Sequence, residues 1–152
     1  ISLMGFSPET TAMSTIVVRP EKLVIVMSAK AKEASTPAIK YLVRNDLIGD
    51  FDYRAIEVRP YDTQHVYDQL LEAIKKAEKP LVIDITGGTK VMSATAGALA
   101  WEMNIPICYS DGGWDPKSGS SGLRKASSLT LINNPSRSLG YRFRADALLA
   151  FE

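Results

Sequence analysis

Two short segments consist almost entirely of apolar residues: LVIVM at Leu23–Met27 and LVIDI at Leu81–Ile85. Runs of this kind are typical of strands that are covered on both faces, as in parallel sheets. Parallel neighbours cannot be joined by a tight turn, so each pair needs a crossover connection, which is usually a helix. This requirement argues against an all-α or purely antiparallel protein and predicts the α/β class.

The remaining sequence supplies the helices. Ser7-Pro8-Glu9 begins one with a capping residue, a proline in the first turn and an acid, and Thr36-Pro37 opens a second by the same logic. Asp62–Lys79 is the clearest helix because its apolar residues recur at helical spacing. Val91–Met103 is rich in small residues, which suits close packing on a sheet.

Further strands alternate with these helices. Ile1–Gly5 comes first, Tyr53–Val58 is less apolar and is expected near an edge, and Ile105–Tyr109 follows the last helix. Leu129–Ile132 and Tyr141–Arg144 predict a late β-hairpin. Strands separated by helices of 10–15 residues indicate βαβ units. We therefore expect a Rossmann-like three-layer sandwich with a mainly parallel sheet and a late β-hairpin at one edge.

Composition limits the classes of function. A length of 152 residues predicts a single domain, 1–152, and a net charge of +1 gives no general case for binding a polyanion. With one cysteine, Cys108, and one histidine, His65, the chain offers neither an internal disulfide nor a multi-histidine metal site. Because Ile1 already lies within a predicted strand, we expect a domain excised from a longer protein.

Ligands of open parallel sheets bind beyond the carboxyl ends of the strands, where the strand order reverses. Four loops lie at such ends: Gly5–Glu9, Ser28–Lys32, Thr86–Lys90 and Ser110–Gly119. Thr86–Lys90 is the most informative, since it follows a buried strand and precedes a helix. It contains neither the spacing of a P-loop nor a Gly-x-Gly-x-x-Gly fingerprint.

The segment Thr86-Gly87-Gly88-Thr89-Lys90 predicts an anion cradle. Glycines let backbone amides approach a ligand, a helix N-terminus attracts negative charge, and Lys90 adds an ammonium. Asp84 precedes the turn and is expected to accept hydrogen bonds from its amides, with a direct contact to the ligand as the alternative. The alternative is a tight turn whose glycines serve the backbone alone.

The stretch from Val82 to Ser93, VIDITGGTKVMS, resembles the signature of the CRISPR-associated Rossmann-fold (CARF) domains. Gly5-Phe6-Ser7-Pro8-Glu9 and the later Arg19-Pro20-Glu21-Lys22, with a strand ending at Ser28, are similar to the start of the same domains. The resemblance covers about Ile1 to Gly113.

The resemblance implies a homodimeric sensor of cyclic oligoadenylates, most often cyclic tetra-adenylate, made by type III CRISPR complexes. The ring would lie on the dimer axis, and its binding would switch an attached effector that this chain lacks. It implies no cofactor, no metal and no direct DNA binding. The expected location is the prokaryotic cytoplasm, with room for a membrane tether in the missing segment. The candidate ligand-binding residues are Gly5, Phe6, Ser7, Ser28, Thr86, Gly87, Gly88, Thr89, Lys90, Tyr109 and Trp114.

Two alternatives stay open. The first is a ring nuclease that cleaves its activator without a metal, with Lys90 and Ser7 as the candidate catalytic residues. The only histidine, His65, is expected on the surface and away from the site, so no obvious base is at hand. The second is an unrelated nucleotide-binding α/β domain.

The charge is uneven in the part of the chain that follows the resembling residues. The segment 117–144 contains six basic residues and no acid. It predicts a lid over an anionic ligand, a solvated edge, or a surface for the missing partner. The six residues are Lys117, Arg124, Lys125, Arg137, Arg142 and Arg144.

Overall fold

The computed structural model describes residues 1–44, 52–111, 114–115, 120–121, 128–132 and 134. Within them the strands are β1 (Ser2–Met4), β2 (Lys22–Met27), β3 (Asp52–Glu57), β4 (Ile83–Asp84), β5 (Ile107–Asp111), β6 (Trp114–Asp115), β7 (Ser120–Ser121) and β8 (Ser128–Ile132). The helices are α1 (Pro8–Val18), α2 (Ala29–Arg44), α3 (Thr63–Lys76) and α4 (Lys90–Glu102). None of these helices is long and apolar enough to cross a membrane.

Six strands form one sheet in the order β3-β2-β1-β4-β5-β8. The first five run parallel, and β8 pairs antiparallel with β5 at the edge. A small antiparallel pair, β6 and β7, lies in the chain between β5 and β8. The predicted Rossmann-like fold with an antiparallel edge is confirmed, and β3 occupies the other edge as expected. The second strand of the predicted hairpin, Tyr141–Arg144, lies outside the described residues.

The strand order reverses between β1 and β4, which are neighbours in the sheet although β2 and β3 come between them in the chain. A reversal of this kind leaves a crevice at the carboxyl edge, because the connections leave β1 and β4 in opposite directions. The loops that follow β1 and β4 therefore begin side by side and line this crevice.

The helices cover both faces of the sheet. One core cluster joins α3 and α4 to Leu3, Ile83 and Ile107, and the other joins α2 to Met4 and Ile25. Leu3 and Met4 are neighbours in β1 and serve opposite faces, as the two-residue period of a strand requires. This doubly covered centre accounts for the continuous apolar runs in the sequence.

The predicted start of α2 is wrong. The helix begins at Ala29 rather than at Thr36-Pro37, so Ser28–Lys32 is a helix entrance and not a loop. Ser28 caps it, because its Oγ accepts a hydrogen bond from the Ala31 amide at 3.2 Å. Thr36 instead donates its hydroxyl to the Lys32 carbonyl at 2.6 Å. The proline lies inside the helix, where its missing N–H removes one backbone bond without ending the helix.

Candidate functional site

The glycine turn after β4 lies directly against the backbone of β1. A Cβ on Gly87 would come within 2.3 Å of the Leu3 carbonyl oxygen, so only glycine allows this approach. Gly5, which follows β1, faces the turn in the same way, since its Cβ would lie 3.1 Å from the Gly88 amide nitrogen. Gly88 adopts a φ of +81°, a conformation that L-residues rarely take. The two loops at the switch point are thus in backbone contact.

The turn leads into the N-terminus of α4. Thr89 is its N-cap, and its Oγ1 accepts from the Met92 amide at 3.2 Å. Among the hydrogen bonds of the described residues, none uses the amide of Gly87 or Gly88 as a donor. Lys90, the first helical residue, is exposed and has no ion pair within the part of the chain that the structure describes. Unpaired amides, a helix N-terminus and an ammonium together make a site for an anion.

The side chain of Asp84 holds the glycine turn in place by hydrogen bonds. Its Oδ1 accepts from the Thr86 amide at 2.9 Å and from the Thr86 hydroxyl, and its Oδ2 accepts from Ser2 Oγ at 2.9 Å. The Thr86 hydroxyl in turn accepts from the Ser110 amide at 2.7 Å. The interpretation of Asp84 as a residue that holds the turn agrees with these contacts. They also commit the Thr86 hydroxyl to the protein rather than to a ligand.

The floor beneath the turn is polar and closed to solvent. Ser110 is 2% exposed, and its Oγ has no hydrogen-bond partner among the described residues. Cys108 lies two residues earlier on the same strand and is fully buried. Burial, with the nearby Asp84 carboxylate, raises the pKa of the Cys108 thiol to about 12. Cys108 is therefore a neutral core residue rather than a nucleophile.

The loop between β1 and α1 presents two of the predicted residues to solvent. Phe6 is 71% exposed, which is unusual for a large apolar side chain. Ser7 is the N-cap of α1, yet its side chain makes no capping hydrogen bond. The loop that contacts the glycine turn through Gly5 therefore also carries an exposed phenyl ring and a hydroxyl that makes no capping bond.

No described side-chain contact joins three other predicted residues to the glycine turn. The hydroxyl of Ser28 is occupied in capping α2. Tyr109 is 42% exposed on β5, where alternation places it on the face opposite Ser110. Trp114 lies in β6, but its side chain and the basic segment residues Lys117, Arg124, Lys125, Arg137, Arg142 and Arg144 are outside the described part of the structure.

A third loop reaches the site, and the sequence analysis missed it. We name residues 58–62, between β3 and α3, the β3–α3 loop. Thr89 Oγ1 donates to the Pro60 carbonyl at 2.9 Å, which joins this loop to the glycine turn. His65 is connected to the same loop, since its Nδ1 accepts from the Arg59 amide at 3.1 Å. It is thus two hydrogen bonds from the turn rather than remote from it. The rule that loops after parallel strands share one edge places this loop at the same edge of the sheet, although it does not predict the contact itself.

Comparison with known proteins places the chain in a family. Residues 1–103 match the model of the Csa3 CRISPR-associated Rossmann-like domain, which is about two thirds of the chain. The chain therefore belongs to this family of CRISPR-associated Rossmann-like domains. The resemblance stated from the sequence is confirmed. No curated protein matches the chain.

Two solved structures share the fold. Can2 from Sulfobacillus thermosulfidooxidans, solved in complex with cyclic tetra-adenylate, aligns with a TM-score of 0.60 and 18% identity over 71% of this chain. Csm6 from Enterococcus italicus, bound to cyclic hexa-2'-fluoro-hexa-dAMP, aligns with a TM-score of 0.65 and 14% identity over 98% of this chain. The alignments cover only 30% and 44% of those two proteins.

Proposed function

We propose that this domain is a sensor that binds a cyclic oligoadenylate, with cyclic tetra-adenylate as the first candidate, between two copies of the chain. The observation that carries the proposal is the contact between Gly5 and Gly88, which unites the two loops at the switch point beside unpaired amides. Two proteins of the same fold were solved with cyclic oligonucleotides bound. A ring of identical nucleotides suits a two-fold symmetric pair of identical sites.

The residues divide the work of binding by their chemistry. The amides of Gly87 and Gly88 donate to phosphate or ribose oxygens, and Lys90 neutralises phosphate charge. Phe6 offers a ring to an adenine base, and the free hydroxyl of Ser7 offers a hydrogen bond. Asp84 does not meet the ligand, because both of its oxygens are engaged inside the protein.

The sensor is expected to act on an attached effector. The alignments leave more than half of each solved neighbour outside this domain. A ligand changes an attached unit only if it favours one arrangement of the domain over another. In our proposal the ring draws together the two copies of the glycine turn, and this arrangement is passed to the rest of the protein.

The first test is calorimetric titration of the domain with cyclic tetra-adenylate. We expect one ring per two chains. Lys90→Ala should weaken binding about tenfold or more, since a hydrogen bond to a charged group contributes about 1.5–3 kcal/mol. The matched control is Lys75→Ala, which removes an exposed lysine in the last turn of α3, at the opposite end of the helical layer. Unchanged affinity in Lys90→Ala would refute the anion cradle.

The same samples separate sensing from cleavage. The ring is incubated with the protein and chelator, and the products are resolved by chromatography. A sensor leaves the ring intact. A ring nuclease yields linear fragments, and that activity should fall in Lys90→Ala and Ser7→Ala. If no ring of four or six adenylates binds at micromolar concentration, the proposed function is wrong and an unrelated nucleotide-binding role takes its place.

A further inference from the structure

We propose that Tyr61 is a stacking residue for an adenine base of the bound ring, an inference that rests on the proposed function. Tyr61 is 79% exposed, more than any other large apolar side chain in the described residues. It directly follows Pro60, whose carbonyl accepts the hydrogen bond from Thr89. The exposed ring thus belongs to a loop that is hydrogen-bonded to the turn, and this turn presents the amides and Lys90.

Hydrogen bonds hold the β3–α3 loop in place, so the backbone of the loop fixes Tyr61 in an exposed position. Its first residue, Val58, is 4% exposed and donates its amide to the Met27 carbonyl at 2.9 Å. Its last residue, Asp62, donates its amide to the Arg59 carbonyl at 3.1 Å. The loop is therefore fixed to the sheet at one end and folded back on itself at the other.

Side-chain contacts reinforce this geometry. Asp62 caps α3 by accepting from the His65 amide at 3.0 Å, and it forms an ion pair with Arg59 at 3.0 Å. The tyrosine between them contributes to none of these contacts. A loop with this many anchors gives a ligand a surface that is already ordered, which lowers the entropic cost of binding.

Two exposed rings then lie on loops that contact the glycine turn. Phe6 follows Gly5, which faces Gly88, and Tyr61 follows Pro60, which bonds Thr89. The amides and Lys90 of the turn thus have an exposed aromatic ring on each of two contacting loops. Cyclic oligonucleotides have the matching pattern, because bases project outward from a backbone of phosphates and riboses. Stacking on an aromatic side chain is worth about 1–3 kcal/mol per base, equivalent to roughly a 5- to 150-fold change in affinity.

Three variants of one residue test this role. Tyr61→Ala should weaken binding of cyclic tetra-adenylate at least about fivefold, and Tyr61→Phe should retain the affinity because the ring face is kept. Tyr61→Leu keeps apolar area without a ring and should recover only part of the loss. The matched control is Tyr53→Ala. Tyr53 is 43% exposed and lies near the start of β3, at the amino end of the parallel strands, whereas the site lies at their carboxyl ends. Its removal should leave affinity unchanged.

A spectroscopic measurement makes the test independent of affinity. Tyr61→Trp should lose more indole fluorescence than Tyr53→Trp when the ring binds, because a stacked base quenches the new indole, whereas Trp101 and Trp114 contribute equally to both variants. If wild type binds, Lys90→Ala weakens binding, and Tyr61→Ala binds as wild type does, then the inference is wrong while the proposed function stands. If wild type binds no ring, both are wrong.

Discussion

Replacing Gly87 by alanine tests the backbone contact on which the site is built. The new methyl would lie 2.3 Å from the Leu3 carbonyl oxygen and 3.1 Å from Met4 Cα. Both neighbours are main-chain atoms, so no side chain can rotate away. The turn must retreat by about 1.1 Å to restore an ordinary 3.4 Å contact. A retreat of that size would also lengthen the 2.9 Å bond between the Thr86 amide and Asp84.

The magnitude follows from these two effects. Overpacking in an ordered interior costs about 1–3 kcal/mol. Weakening a buried hydrogen bond adds about 0.5–1.5 kcal/mol. For a domain of this size each kcal/mol lowers the melting temperature by about 2–4 °C, so a loss of roughly 3–18 °C is expected. The affinity for the ring should fall as well, because the Gly87 and Gly88 amides move with the turn.

The assay is thermal unfolding followed by circular dichroism, with Gly97→Ala as the matched control. Gly97 lies inside α4, and a Cβ there would meet nothing within 4 Å. Alanine favours the helix over glycine by about 0.5–1 kcal/mol, so this variant should melt slightly above wild type. A Gly87→Ala protein that melts at or above the wild-type temperature would refute the reasoning.

Two further predictions concern the polar floor of the site. Thr86→Val should destabilise the fold by about 1–3 kcal/mol, because it leaves Asp84 and the Ser110 amide each without one partner, and Thr86→Ser should restore most of the loss; equal urea midpoints for the two variants would contradict this. Cys108 should resist alkylation at pH 8 until the protein is unfolded. Because its folded pKa of about 12 exceeds its ordinary value of 9.0, its stabilising contribution should be complete below pH 9 and should decline as the pH rises toward 12, which pH-dependent urea unfolding would detect.

The parts of the fold that could be predicted from the sequence are those with a local cause. The strand β2 is recognisable by its apolar run and the helix α3 by its apolar period. Asp62 and Thr89 are residue types that commonly cap helices, and both do so here. The start of α2 could not be placed because a proline such as Pro37 usually marks a helix start, whereas alanines are the only apolar residues in the first six positions after Ser28.

The site could be predicted in its centre but not at its margin. The adjacency of Gly5 and Gly88 follows from the rule that loops after neighbouring parallel strands share an edge. The bond from Thr89 to Pro60 does not follow from it, since β3 and β4 are separated in the sheet by β2 and β1. Only the path of the chain from β3 to α3, across the carboxyl edge, brings them together. The hydrogen bonds that Thr86 and Ser28 make within the protein could not be predicted either, because the sequence does not show whether a hydroxyl faces a ligand or the protein.

The contact between Gly87 and the main chain of Leu3 also restricts how the family can diverge. A clash with a side chain can be relieved by a compensating change elsewhere, but every amino acid at position 3 has the same carbonyl oxygen. Position 87 should therefore remain glycine in every relative that keeps β1 in this register. Position 88 is constrained by its dihedral angle instead and should tolerate asparagine, while position 97 should drift freely. In an alignment, a distant sequence with glycine at 87, glycine or asparagine at 88 and any residue at 97 should have the crevice as well as the sheet. A sequence without glycine at 87 should have only the sheet.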